Sequence, residues 1–384
     1  MNRMLILLSI LAACGDNLKA VPDGGNGGGD SGGSDNAAPL IKAVALGADF
    51  SSGTGIVSRL DLASLSMQTN AVAGVATSDP VIRHLGDKLY VVNRFVGENV
   101  TILDAKTLAP VDQISTGANT NPQDVAVVGD KLYVPAASTT GVVVIEHGQA
   151  TKTIDLGTLL GDPDGKPDCI SAYAVGTNVF VACSLLDQNF KPRGAGKVAV
   201  IDTTTDQSTV LTMPDKNPAG FFVKSPDDSV FHGDLLLSLV PSFDVFNMGC
   251  IARVPTDGTT APTCATGLSN SALGGFTNGI AVGTDKKLYL SVVVDQNFST
   301  QSGKLRTFDM NAGTLMPTAM SGATEQITDL AACPDGEIVA IDSTMNANGV
   351  RVFKDGTEVT TAPLSLGLPP IFGSGIVCFD ANHP

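Results

Sequence analysis

Tryptophan is missing from this 384-residue chain, and tyrosine occurs only four times beside 15 phenylalanines. Charge is scarce too: Asp, Glu, Lys and Arg make up 16% of residues, and 23 basic against 38 acidic residues leave a net charge of −15. The basic residues form no cluster, and a surface of that sign repels phosphate backbones, which argues against nucleic acid as a partner. The four histidines, His84, His147, His232 and His383, are too dispersed for a metal triad, and no Cys-x-x-Cys pair is present. The N-terminal apolar run, Met4 to Ala13, is too short to stay in a bilayer as a spanning helix. What remains is a chain with 43% apolar residues and 42 glycines, a balance that suits short strands and many turns.

The first residues, MNRMLILLSILAAC, read as a processing segment: Arg3, then the apolar run, then small residues before a cysteine. Leu11-Ala12-Ala13-Cys14 resembles the lipobox of bacterial lipoproteins, which implies cleavage after residue 13 and diacylation of Cys14. Two or three acyl chains hold a soluble domain at a membrane where one does not. In the enteric sorting pattern an aspartate directly after the cysteine retains a lipoprotein at the inner membrane. Gly15 stands there instead, which leans toward the outer membrane, while Asp16 one place further on and differences between lineages leave the inner membrane open. Residues 14–39 are otherwise Gly, Asn, Asp and Ser with little to bury, so they are expected to be a flexible tether reaching roughly 25 to 30 Å.

From Leu40 to the end, one theme returns at intervals of roughly 43 to 57 residues. Second strands read IKAVALG at 41, KLYVVNR at 88, KLYVPAA at 131, NVFVACS at 178, DLLLSLV at 234, KLYLSVV at 287 and EIVAIDS at 337. Third strands follow each of them, several closed by an aspartate, as at Asp61, Asp104, Asp202 and Asp309, where a carboxylate that accepts backbone amides makes a tight turn. A strand-only period of this length is the signature of propeller blades, so residues 40–384 are predicted to form an all-β, seven-bladed β-propeller. Only six inner strands precede a second strand. The seventh is GSGIVCFD, from Gly373 to Asp380, which predicts that the C-terminal strand closes the first blade.

LYVVNRFVGENVTILDAKTL, from Leu89 to Leu108, and GKVAVIDTTTD, from Gly196 to Asp206, resemble the YVTN family of bacterial propeller proteins, in which a Tyr-Val-x-Asn strand leads to a Val-x-x-Ile-Asp strand. The resemblance implies an extracytoplasmic protein that binds or scaffolds, and it implies no particular activity. The absence of Trp and of a Gly-His marker sets the chain apart from the WD40 type.

Six cysteines follow Cys14, an even number suited to an oxidising compartment. Of the 15 pairings that six cysteines allow, the blade pattern selects Cys169 with Cys183, Cys250 with Cys264, and Cys333 with Cys378, the last joining the final blade to the first.

The connections between second and third strands and between blades share one face of a propeller, and the long ones here all fall on it. Two carry the same phrase, Asp187-Gln188-Asn189-Phe190 and Asp295-Gln296-Asn297-Phe298. Carboxylate, amide and aromatic groups at such loops suit a peptide, protein or glycan ligand, while blade duplication would also leave such a shared turn. Asp162, Asp164 and Asp168 offer three carboxylates that could hold Ca²⁺, although Lys166 stands where an EF-hand needs an oxygen. The leading expectation is a membrane-tethered binding or scaffolding propeller that works through this long-loop face. The alternative is a propeller hydrolase or lactonase using carboxylates at the channel mouth, Asp79, Asp124 and Asp329.

Overall fold

Apolar residues run almost unbroken through each second strand, and a strand with that pattern must be covered on both faces. The computed structural model describes residues 40–242, 245, 247–294, 303–320, 326–371 and 373–382. In it the second strands are buried between blades: Leu89, Val91, Val92, Val179, Val181, Leu235 and Leu237 have no accessible surface. Seven antiparallel sheets of four strands each make a seven-bladed propeller. Around the channel their inner strands are Ile376–Asp380, Pro80–Leu85, Ala126–Val128, Cys169–Val175, Pro218–Lys224, Phe276–Val282 and Ile327–Ala332, for the first to the seventh blade.

Hydrophobic clusters form between blades. Leu46 and Phe379 of the first blade meet Leu89 and Leu103 of the second, and Val339 and Ile341 of the seventh meet Ala43 and Ile376 of the first. Each large side chain of this kind stabilises the ring by about 1.5–3 kcal/mol through burial.

Ring closure is as expected. Strand Ile41–Asp49 pairs with Thr54–Asp61 on one side and with Ile376–Asp380 on the other, in the register Ile41↔Asp380 to Ala45↔Ile376. The Leu40 amide donates to Asp380 Oδ1 at 2.8 Å and the Ala381 amide to the Leu40 carbonyl at 2.9 Å. All three disulfides form as paired above: Cys169–Cys183, Cys250–Cys264 and Cys333–Cys378.

The recurrent glycine that opens third strands answers to close packing rather than to a turn. A Cβ on Gly55 would lie 1.9 Å from the Thr77 carbonyl oxygen, and one on Gly141 2.3 Å from that of Ile154. The row of turn aspartates serves the backbone: Asp61 accepts the Ser64 amide, Asp104 that of Thr107, Asp202 that of Thr204, and Asp309 those of Asn311 and Ala312. The Thr107 and Thr204 hydroxyls, together with these amides, hold Asp104 and Asp202 below the ordinary carboxylate range, and the amides lead in doing so for Asp61 and Asp309.

Antiparallel order gives the ring two unlike faces. Inner strands start at the face that carries the second-to-third and blade-to-blade connections, the long-loop face. They end at the short-turn face. Leu40, which opens a second strand, lies at the short-turn face beside Asp380.

Candidate functional site

Two places on the ring are candidates. The first is the channel, where a cavity of about 920 Å³ is bounded by all seven inner strands and by the short turns at Gly86 and Gly129, so it opens at the short-turn face. Its inner end is a polar belt. Arg83 donates from Nε to Asp124 Oδ1 at 2.6 Å and from Nη2 to Asp124 Oδ2 at 3.0 Å. Asp124 has no accessible surface and also accepts the Val125 and Ala172 amides and the Ser171 hydroxyl. Ser171 Oγ in turn accepts the Phe222 amide. Asn278 Nδ2 donates to the Thr328 carbonyl, Asp329 Oδ2 accepts the Gly375 amide, and the Ile82 amide donates to the Ser374 carbonyl.

All of these bonds except the one from Val125 cross from one blade to the next, so the belt sews the inner strands together. That is the account of its carboxylates. A buried charge needs a partner and hydrogen bonds, and Asp124 has both. Burial pushes the Asp329 carboxyl up to about 6, against the opposing pull of the Leu330 and Gly375 amides and Arg83. Asp79 is elsewhere: it pairs with Arg94 and is not among the residues that line the cavity. The three carboxylates expected at a channel mouth therefore do not form one acid–base set. One is saturated, one is paired outside the cavity, and one is buried.

Arg83, Ser171, Asn278 and Ser374 belong to the belt without having been singled out from the sequence. A signal was present in VIRHL: an arginine inside an inner strand is rarely buried unless paired.

The second candidate is the long-loop face. Asp187 closes its own turn, accepting the Asn189 amide at 2.7 Å and the Lys191 amide at 2.9 Å, which holds its carboxyl below the usual range. Phe190 is left 79% exposed at the tip. The matching phrase, Asp295 to Phe298, lies outside the described residues.

Asp162 and Asp164 both receive the Arg193 guanidinium, at 2.7 and 3.0 Å, and Asp168 accepts the Leu186 amide. An arginine thus holds the place proposed for calcium. Among the described residues no group of three or more His, Cys, Asp or Glu side chains stands where it could hold a metal ion. Burial pushes Asp168 up to about 6.

Loops of this face also carry apolar side chains in the open. Among the described residues twelve large hydrophobics are exposed; Leu40, Val111, Met316 and Val359 lie on strands or directly at strand ends, where the Met316 and Val359 amides still bond to the Thr307 and Val352 carbonyls, and the other eight (Phe50, Phe95, Val96, Leu159, Phe190, Val245, Met248 and Met345) sit on second-to-third or blade-to-blade connections. Phe50 and Phe95, from neighbouring blades, stack with ring centroids 6.0 Å apart and planes 20° apart. All three exposed phenylalanines found among the described residues, Phe50, Phe95 and Phe190, are on this face.

No family model matches the chain, and no curated protein matches it. Among solved structures, PorZ, a surface component of the type-IX secretion system of Porphyromonas gingivalis, is similar with a TM-score of 0.54 at 12% identity, over 83% of this chain and 46% of that one. The WD40 domain of Neurospora crassa Pan2 has a TM-score of 0.48 at 12% identity, over 79% of each chain. Kuenenia stuttgartiensis hydrazine synthase has 0.48 at 16%, over 69% of this chain and 73% of that one. In all, 1073 chains of known structure resemble this one, so the likeness establishes the propeller fold and selects no function among its bearers.

Proposed function

We propose that the protein is an extracytoplasmic binding propeller, lipid-anchored through Cys14, that docks a protein or peptide on its long-loop face. The observation that carries this reading is the set of exposed aromatic and methionine side chains on that face, with Phe50 stacked on Phe95. Aromatic residues and methionine are the types enriched in protein interfaces. Three disulfides suit an oxidising envelope compartment. The segment that carries Cys14 joins the ring through Leu40, at the short-turn face. The YVTN-like strands agree with such a role. Hydrolysis at the channel is the weaker reading, because Asp124 and Asp79 are committed to arginines.

The test is capture from envelope extract on the lipidated protein, compared with the double variant Phe50→Ser, Phe95→Ser. Hot-spot aromatics lost from an interface cost about 2 kcal/mol or more each, so the partner is expected to fall below detection while the variant's melting temperature is unchanged. A partner retained at wild-type level would refute the docking face. Cys14→Ser is expected to release the protein from membranes into the soluble fraction.

A further inference from the structure

The channel cavity lies on the opposite face from the docking surface and needs its own account. Three cations line it, Arg83, Lys88 and Lys224, against two carboxylates, Asp87 and Asp329. All three cations are already paired, Arg83 with Asp124, Lys88 with Asp87 and Lys224 with Asp227. Arg83 is fixed in position: Asp124 holds Nε and Nη2, and the centre of the Phe221 ring lies 3.8 Å from the guanidinium carbon. Only Nη1 is loosely engaged, with a 3.4 Å contact to Ser374 Oγ, and the side chain keeps 20% of its surface open. Between this cation and the mouth the wall carries an aliphatic side made by Val127, Val223, Ile280 and Val282, beside His84 and Tyr173. A preorganised guanidinium at the inner end of a partly apolar funnel meets an anionic head on an apolar body.

We infer that the channel is a binding site for a small amphiphilic carboxylate, its head on the free edge of Arg83 and its body against the aliphatic side of the wall. The volume of about 920 Å³ is within the range of ordinary small-molecule sites. Lys224, paired with the exposed Asp227 at 2.8 Å, stands at the short-turn end, where a Glu in its place would add a carboxylate beside Asp227.

The experiment is calorimetric titration of the purified full-length protein with octanoate, octanamide and octylammonium, which share a body and differ in head charge. A charge-assisted hydrogen bond is worth roughly tenfold to a hundredfold in affinity, so octanoate is expected to bind about tenfold or more tighter than either of the others. Ile280→Trp, which fills the funnel, is expected to abolish octanoate binding, and Lys224→Glu to weaken it several-fold, with disulfides and melting curve intact in both. Three heads that bind alike, no octanoate binding up to about millimolar concentration, or an Ile280→Trp variant that binds as the wild type does would each overturn the site. None of these results depends on the long-loop face, so the two proposals stand or fall apart.

Discussion

Arg83 and Asp124 show how a propeller can place charged residues on its own axis. Asp124 collects five hydrogen bonds, from Arg83 twice, Ser171, Ala172 and Val125, and has no accessible surface. Removing the cation while leaving the buried carboxylate is the costly change, and Arg83→Ala is expected to destabilise the ring by about 3–5 kcal/mol in denaturant unfolding. Asp329 acts on stability through its proton. Its carboxyl titrates near 6 when folded against 3.8 ordinarily, so the native state holds the proton more tightly. The stabilisation this gives is complete below 3.8 and is lost as pH rises through 6. Asp329→Asn, which mimics the protonated form, is therefore expected to gain stability relative to wild type between about pH 4 and 7 and to show no such gain below that window. A constant difference across the range would contradict the assignment.

At the level of elements, the blades were legible because each second strand is an almost unbroken apolar run and several third strands close on an acidic turn. The closing strand was legible by count, as an inner strand with no successors at the C-terminus. The belt was not, since its residues differ from blade to blade: Arg83, Asp124, Ser171, Asn278, Asp329. No repeated letter marks it, and its bonds join inner strands of different blades. The need for glycine at Gly55 and Gly141 was not legible either, because the carbonyls that exclude a Cβ there belong to later strands or connections. The Cys333–Cys378 bridge locks the seventh blade to the first across a sequence separation of 45 residues. Replacing both cysteines by alanine is expected to cost about 2–5 kcal/mol by denaturant unfolding under oxidising conditions. If instead the double variant matched the wild type, the bridge would be no part of the closure.

For the whole molecule, the two faces differ in what they expose. Leu40 and Asp380 lie together at the short-turn face, which also holds the cavity mouth. The opposite face holds eight of the twelve exposed large hydrophobics found among the described residues. Loop length pointed to this face in the sequence, but Phe50, Phe95 and Met345 come from short connections, so length alone missed them. Their exposure depends on where neighbouring blades end, which only the closed ring decides. The most direct test is site-specific photo-crosslinking in envelope preparations, with the photoreactive residue at Phe95 on the long-loop face or at Asp130 on the short-turn face. Protein adducts from position 95 and none from position 130 are the expected result. Adducts from position 130 alone, or equally from both, would contradict the assignment of the long-loop face as the binding surface.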